Sequence, residues 1–551
     1  MGRTITDKLS EGIGTALRAA GLPPPDGLLW EVPREEAHGD YATNVAMVLA
    51  KGARRSSRQV AELIVKHLPS LPQVERVEVA GPGFLNVFLA PDWCATALRE
   101  ILAAGDSYGT KEPGVGARVR IEFVSANPTG PLVVVSARAA AVGDSLARIL
   151  RSQGCTVFTE YYVNDAGNQF DALARSLEIR ARQLLGEAVD LPEDAYPGEY
   201  LIDIARDYSA EIPWSGSDPL PGERLARLGR YAVTRIVEGQ KKALSAYGVE
   251  FDRWVSEHEA IRSPRRPEAA IDLLKAQGLT YEADGALWFK STEFGDEKDR
   301  VLIKSDGELT YFAADIAYHL FKFQDVDRVI DLLGPDHHGY VPRLQAAMRA
   351  LGKPADSLGV LLIQLVNLLR EGKPVRMSKR MGEFVTMEEL IGEVGRDAAR
   401  FTFLTRRHDS PLDFDLEVVT RQSSENPVYY VQYCHARVAS LFQHLRERKL
   451  EAPEWERVDL ARLVLPEELS LIKRLLQFPD LVAGTAQALE PHRVAYYLQE
   501  LAQAFHPYYN RHRIIGNELG LTHARLALAA AVGQVIRNGL SLLGVSAPEK
   551  M

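Results

Sequence analysis

A chain of 551 residues is too long for one hydrophobic core, so its length implies three or four domains. Its 46% hydrophobic and 25% charged composition is that of an ordinary soluble globular protein. A net charge of -9 argues against coating by nucleic acid through bulk charge, while leaving room for a local basic patch. Cys94, Cys155 and Cys434 lie far apart with no CxxC pair, which disfavours a disulfide framework or a tightly bound protein metal. The first nine residues have no apolar core of a secretory signal, and Met1–Thr6 fits only the loose myristoylation pattern. The apolar run at 358–369 is broken by Gln364 and Asn367 and is too short to span a bilayer. These features predict a soluble, cytoplasmic protein with no membrane partner.

Along the chain, helical spacing over Ile5–Ala19 and Ser57–His67 surrounds a strand-like Val74–Val79 and the turn Gly81-Pro82-Gly83. Residues 1–112 therefore read as a small mixed domain, closed by a Gly- and Lys-containing linker at 106–116. Ala117–Val124 alternates and is rich in β-branched residues, a strand; after a Ser-Ala-Asn-Pro-Thr-Gly-Pro loop, Ala137–Leu150 has helical spacing. Strand-like runs recur at Ala286–Lys290, Arg300–Lys304, Arg328–Leu333 and Val360–Val366, which predicts an α/β domain over 113–420 with a mainly parallel sheet. A charged helical insertion occupies about 170–260. From 421 to 551 only amphipathic helices are visible: Tyr429–Leu445, Glu467–Leu475, Val494–Phe505 and Leu521–Leu543.

Four clusters carry chemistry. The strand–loop–helix at 117–150 lacks a P-loop but offers Glu122, Ser125, Asn127 and Thr129 where doubly wound sheets bind nucleotides; the same residues also read as a plain turn. Arg376-Met377-Ser378-Lys379-Arg380 suits a loop that closes on a polyphosphate, or is simply a solvated basic run. Gly334–Tyr340 contains His337 and His338, but no third ligand follows at regular spacing, so a polar substrate-facing loop is preferred to a metal site. On a helix, Tyr311 and Asp315 share a face, with Tyr318–His319 one residue out of step, and a carboxylate beside a phenol suits a guanidinium; packing on the sheet is the alternative.

Together these stretches resemble one family. Glu122-Phe-Val-Ser-Ala-Asn127-Pro-Thr-Gly130, Tyr161–Gln169, Lys304-Ser-Asp-Gly, Tyr311–His319 and Gly334–Tyr340 are similar, in order, to blocks of the bacterial arginyl-tRNA synthetases. Arg376–Arg380 resembles the KMSKR loop of class I synthetases. Asp397–Arg400, Asp413–Asp415, Asn426–Tyr433 and the tail Asn538–Met551 continue the resemblance, and Gly39–Asn44 and Ala80–Phe84 look like the family's N-terminal domain. The resemblance implies a Rossmann-like catalytic domain between an N-terminal α/β tRNA-binding domain and a C-terminal helical anticodon-binding domain. It implies ATP with Mg2+, L-arginine and tRNA-Arg as substrates and a monomeric protein. On matching positions, Glu122, Ser125, Asn127, Tyr311 and Asp315 would bind arginine. Thr129, Ser136, Asp336, His337, Met377 and Lys379 would bind ATP, with Lys379, Arg376 and Ser378 acting in catalysis. Asn44, Tyr433, Tyr508 and Met551 would meet the tRNA.

The chain departs from the pattern at one place. The family's His-Val-Gly-His signature falls on Val133-Val134-Val135-Ser136, so both histidines and the glycine are missing. Losing one preorganised donor costs about 10²–10³ in rate. The departure leaves three readings: an arginine–tRNA ligase that compensates the change, an impaired paralogue that binds tRNA or arginine, or a native synthetase altered at this site. Three successive valines also predict a strand-like or irregular segment here rather than a helix start.

Overall fold

The computed structural model describes residues 4–25, 27–33, 35–211, 222–375, 385–448 and 451–551. The N-terminal unit runs α1 (Ile5–Ala19), β1 (Tyr41–Thr43), α2 (Val45–Ala53), α3 (Ser57–His67), β2 (Val74–Ala80), β3 (Phe84–Leu89) and α4 (Pro91–Ala104). Its antiparallel sheet has the order β1-β3-β2. α1 and α3 cover the spans their spacing predicts because each starts at a capping box, Thr4 with Asp7 and Ser56 with Gln59. Ile13, Leu17, Val60 and Ile64 bury their apolar stripes together with Leu85.

The central unit runs β4 (Arg118–Glu122), α5 (Val134–Ser152), β5 (Thr156–Val163), α6 (Asn168–Leu184), α7 (Tyr200–Glu211), α8 (Gly222–Ala246), β6 (Arg253–Ser256), α9 (Arg266–Ala276), β7 (Thr280–Ala283), β8 (Ala286–Phe289), β9 (Arg300–Ile303), α10 (Tyr311–Lys322), β10 (Arg328–Leu333), α11 (Val341–Ala350) and β11 (Leu358–Leu362). Five of these strands form a parallel sheet of order β11-β10-β4-β5-β6. The order reverses between β4 and β10, so a crevice opens at their C-terminal ends, where doubly wound sheets bind ligands.

Three expectations change here. Ala286–Lys290 and Arg300–Lys304 do not join the parallel sheet; β7, β8 and β9 form a separate antiparallel sheet. The reason is Asp284-Gly285, both at positive φ (53° and 75°), a two-residue turn that folds β7 back on β8. The helical insertion ends sooner than 260, because residues 253–256 return to the parallel sheet as its edge strand β6. Val360–Val366 divides between β11 and β12 (Val366–Arg370), which belong to different sheets.

β12 turns at Glu371-Gly372 into β13 (Lys373–Pro374); α12 (Met387–Val394), α13 (Arg396–Phe403), β14 (Leu412–Asp415) and α14 (Leu416–Thr420) follow. β14 pairs parallel to β12. The chain closes in α15 (Pro427–Glu447), α16 (Pro466–Ala488), α17 (His492–Arg511) and α18 (Leu519–Leu542). α18 is long and apolar enough to cross a membrane by composition, but 67% of its apolar window is buried inside the protein. It is apolar on nearly all sides because it is the core helix of the bundle. Arg400 of α13, fully buried, ties the units together: it pairs with Asp144 of α5 and donates to Leu543 O at 3.1 Å and Tyr247 O at 3.3 Å.

α5 lies against β4 with no room to spare. A Cβ on Gly143 would stand 2.2 Å from the Phe123 ring, itself wedged 4.4 Å from the Phe251 ring. Gly143→Ala is expected to cost about 1–3 kcal/mol through overpacking, read as a lower urea midpoint.

Candidate active site

The chain leaves β4 through a strained turn. Val124 and Ser125 have φ of 68° and 37°, a left-handed pair that a β-branched residue adopts only when its surroundings enforce it. Ser125 Oγ accepts from Tyr162 N at 3.1 Å, which fixes the turn against β5. The rest of the loop is held from outside. Tyr161 Oη lies 3.1 Å from both Ala126 N and Ala126 O, and Gln240 of α8 donates to Gly130 O at 3.0 Å. Tyr200 of α7 donates to Thr129 O. The helical insertion is thus a clamp on the loop that carries Ser125, Asn127 and Thr129. Asn127 is exposed, while Ser125 and Thr129 are half-buried.

Under this loop runs a row of charge. Asp331 of β10, Glu122 of β4, Glu160 of β5 and Arg253 of β6 stand opposite one another across four strands. Three adjacent carboxylates in register would repel. Lys322, 1% exposed at the end of α10, lies 2.5 Å from Glu122 and 2.7 Å from Asp331. Arg120 and Arg253 pair with Glu160, and the Tyr318 hydroxyl stands 2.7 Å from Glu160 and 3.0 Å from Glu122. His319 Nε2 meets Asp331 at 2.8 Å. Burial lowers the Lys322 pKa, but the Asp331 and Glu122 charges outweigh it and hold the ammonium above its ordinary range. Glu122 is therefore spent on Lys322 and Tyr318 beneath the crevice, with 5% exposure.

α10 rises from this row to the surface. Thr310 caps it, accepting from Ala313 N at 3.3 Å, and Tyr311 at its start is 62% exposed. Asp315, one turn on, is half-buried. Desolvation pushes its carboxyl up to about 6; His319 and Lys322 oppose the shift, while Glu257 and Glu122 add to it. Glu257, at the end of β6, is 5% exposed and pairs with Arg262 at 2.6 Å. It was invisible in the sequence, because nothing local marks 253–256 as an edge strand ending at this crevice. Asp315, unlike Glu257, has no ion pair among the described residues.

Across the switch point, Gly334–Tyr340 leaves β10 as a short 3₁₀ turn with Asp336 and His337 exposed. Beside it α5 starts directly. Val133 is extended (φ -108°, ψ 173°) and bridges Thr386, and helix follows from Val134. Thus the irregular segment expected from three valines is one residue long, because Val133 is fixed by Thr386 and Met387 N donates to Leu132 O at 2.8 Å. No side chain caps this helix; in its first turn Ser136, which is buried, and Ala137 donate their N–H groups to Val133 O at 2.9 and 3.3 Å. Arg376, Met377, Ser378 and Lys379 lie outside the described residues, between β13 and Thr386.

The RNA-facing expectations separate. Asn44 is a half-buried residue at the start of α2, and Met551 is exposed at the chain end. Tyr433 of α15 is 37% exposed and stacks between Tyr429 and His506, with ring centroids 6.0 and 5.6 Å away. Tyr508 does not reach this face. It is 1% exposed, its hydroxyl 3.1 Å from buried Glu468, whereas Tyr509 packs under Arg437 at 4.6 Å. Successive helix residues point about 100° apart, so one position decides between core and surface.

A doubly wound parallel sheet with its crevice at the switch point, followed by a helical bundle, defines a class I aminoacyl-tRNA synthetase architecture. Residues 223–420 match the family described as tRNA synthetases class I (R), catalytic domain. Residues 7–89 match the arginyl tRNA synthetase N terminal domain, and 431–551 the DALR anticodon binding domain. The chain is 50% identical over 525 residues to the arginine–tRNA ligase of Desulfosudis oleivorans, covering 95% of this chain and 94% of that one. It is 48% identical over 558 residues to that of Syntrophotalea carbinolica, covering 99% and 100%. The solved Thermus thermophilus arginyl-tRNA synthetase superposes over 100% of both chains with a TM-score of 0.80 at 24% identity. The chain belongs to the arginine–tRNA ligase family.

Two outcomes follow from the site's electrostatics. Lys322→Met strands Glu122 and Asp331 as buried neighbours and is expected to cost about 3–5 kcal/mol in denaturant unfolding. A guanidinium bound at Asp315 would need that carboxylate ionised, and burial pushes it up to about 6. Calorimetric titration is expected to show affinity constant above pH 7 and falling up to about tenfold per unit below pH 6, with protons released on binding near pH 6.

Proposed function

We propose that this chain activates L-arginine with ATP and transfers it to tRNA-Arg, and that the residues of the crevice divide the work as follows. The Asp315 and Glu257 carboxylates take the guanidinium, with Tyr311 closing over it. Ser125 and Asn127 orient the amino acid's head group. Glu122 acts from beneath, through Lys322 and Tyr318, and keeps the floor rigid. The arginine carboxylate then attacks the α-phosphorus of ATP, pyrophosphate leaves, and arginyl-adenylate forms. A ribose hydroxyl at the tRNA 3′ end next attacks the adenylate carbonyl and AMP leaves.

The triphosphate lies, in this reading, against the uncapped first turn of α5, with Ser136 as a hydroxyl donor and Thr129, Asp336 and His337 around it. Mg2+ accompanies ATP, and Lys379, Arg376, Ser378 and Met377 act on the phosphates from the segment at 376–384. A basin of about 670 Å³ adjoins Tyr311, lined by Arg262, Arg300, Lys304, Arg343 and Tyr340. Cations with exposed aromatic rings suit the unpaired 3′ end of an RNA. Tyr433 with Arg437 and Tyr509 on the bundle, and Met551 at the chain end, meet the anticodon arm; Asn44 meets the RNA from the N-terminal unit. We place the domain boundaries near 112 and 420 and read the protein as a cytoplasmic monomer.

What carries this reading over that of an impaired paralogue is that one short segment departs from the family pattern within a whole-length match to arginine–tRNA ligases. The test is charging of tRNA-Arg with labelled arginine by the chain as written, beside a variant carrying Val133→His, Val135→Gly and Ser136→His. The unaltered chain is expected to charge tRNA within about tenfold of the variant, since helix N–H groups supply the donors. Charging by the variant alone would mean that the chain binds substrates without activating arginine.

A further inference from the structure

Arg138 stands on the first turns of α5, beside Ser136, and is fully buried. Its guanidinium donates only to main chain: Gln364 O at 2.9 Å, Leu365 O at 3.3 Å, Arg407 O at 2.9 Å and Ser410 O at 2.8 Å. No carboxylate pairs with it among the described residues. Asp409, the acid whose charge reaches it, is committed to Arg407 at 2.9 Å. Burial lowers its pKa to about 10, which leaves it charged at neutral pH.

Two properties of this arrangement reach the site. A buried cation in an ion pair has no net charge to offer, but one held by carbonyl dipoles keeps it. Arg138 thus puts one positive charge behind the first turn of α5, where Val133 and Ser136 supply none. Its four acceptors also sit at strategic points. Gln364 and Leu365 lead into β12, and Arg407 and Ser410 lead into β14, its parallel partner. Gln364 N donates to His408 O at 2.9 Å, closing the two loops into one platform. β12 continues through its hairpin into β13, and Thr386 beyond comes back to bridge Val133.

We propose that Arg138 is a positioning residue for ATP: it locks the first turn of α5 to the β12–β14 platform at a fixed separation and supplies uncompensated positive charge behind the phosphates. The proposal rests on the ATP site described above. It predicts an effect on ATP that arginine does not feel, because Asp315 and Glu257 stand on other elements, α10 and β6.

The test compares the full chain with Arg138→Lys, which keeps charge but cannot reach four carbonyls at once, and with Arg138→Ala. Calorimetry with Mg-ATP and with arginine separately, ATP–pyrophosphate exchange in the presence of tRNA, and melting temperature are the readouts. Arg138→Lys is expected to melt close to the parent, bind arginine within about twofold, and lose about 10- to 100-fold in ATP affinity or exchange rate. Added guanidinium ion is expected to restore part of the Arg138→Ala loss. Unchanged ATP binding and exchange in Arg138→Lys would overturn the proposal. So would equal losses for ATP and arginine together with a lowered melting temperature, the signature of a structural role alone. If the parent itself exchanges no pyrophosphate, the catalytic reading fails, and ATP calorimetry still decides the role of Arg138. If Arg138→Ala does not fold, Arg138→Lys carries the comparison.

Discussion

Three carboxylates side by side on adjacent strands would push a sheet apart, and here they sit at its centre. Asp331, Glu122 and Glu160 are in register on β10, β4 and β5. The sheet holds because α10 delivers Lys322 between the first two, while Arg120 and Arg253 take the third. The arrangement is costly to desolvate and tolerates no missing partner. In return it fixes the strands on either side of the switch point, and it fixes α10 at its buried end. Everything above depends on that: Asp315 stands where it does because Tyr318, His319 and Lys322 are anchored one and two turns below it.

The crevice has two unlike walls. The side that carries Asp315 is acidic, with that carboxyl unpaired by any cation among the described residues and pushed up to about 6 by burial. The opposite wall is backbone: an uncapped helix start, a strained loop with two residues at positive φ, and a 3₁₀ turn. A wall that offers main-chain donors depends less on side-chain identity than one built from imidazoles, since N–H groups survive substitution. That is the physical setting in which Val133-Val134-Val135-Ser136 can stand where the family has two histidines and a glycine. It also gives α5's anchorage, through Arg138, Arg400 and the Val133–Thr386 bridge, more weight than side-chain chemistry at its tip.

Local rules made some parts of this fold readable. α1 and α3 are bounded by capping boxes, and α15, α17 and α18 lie close to the spans their apolar periodicity predicts, whereas α16, expected over Glu467–Leu475, runs on to Ala488. The small sheet β7–β8–β9 was legible too, in the Asp284-Gly285 turn, but strand-like runs alone point to the wrong sheet. α18 shows the reverse failure: its average hydropathy is membrane-like, and only its packing inside the bundle gives the reason. Tyr508 and Tyr509 differ in role through a single step around α17, which periodicity cannot phase without the neighbouring helices.

The sequence by itself determined the family, the α/β-then-helical order of the chain, and the pairing of Tyr311 with Asp315 on one helix, because these depend on residues close together in the chain. Tertiary structure alone decided that Glu122 is buried and engaged with Lys322 from 200 residues away (322 against 122), and that the Glu257 charge acts on Asp315. It likewise decided that Arg138 is buried against loops at 364–365 and 407–410. Charges buried in a sheet are set by strand register and by helices that cross over it, and neither leaves a periodic trace in the residues that carry the charge.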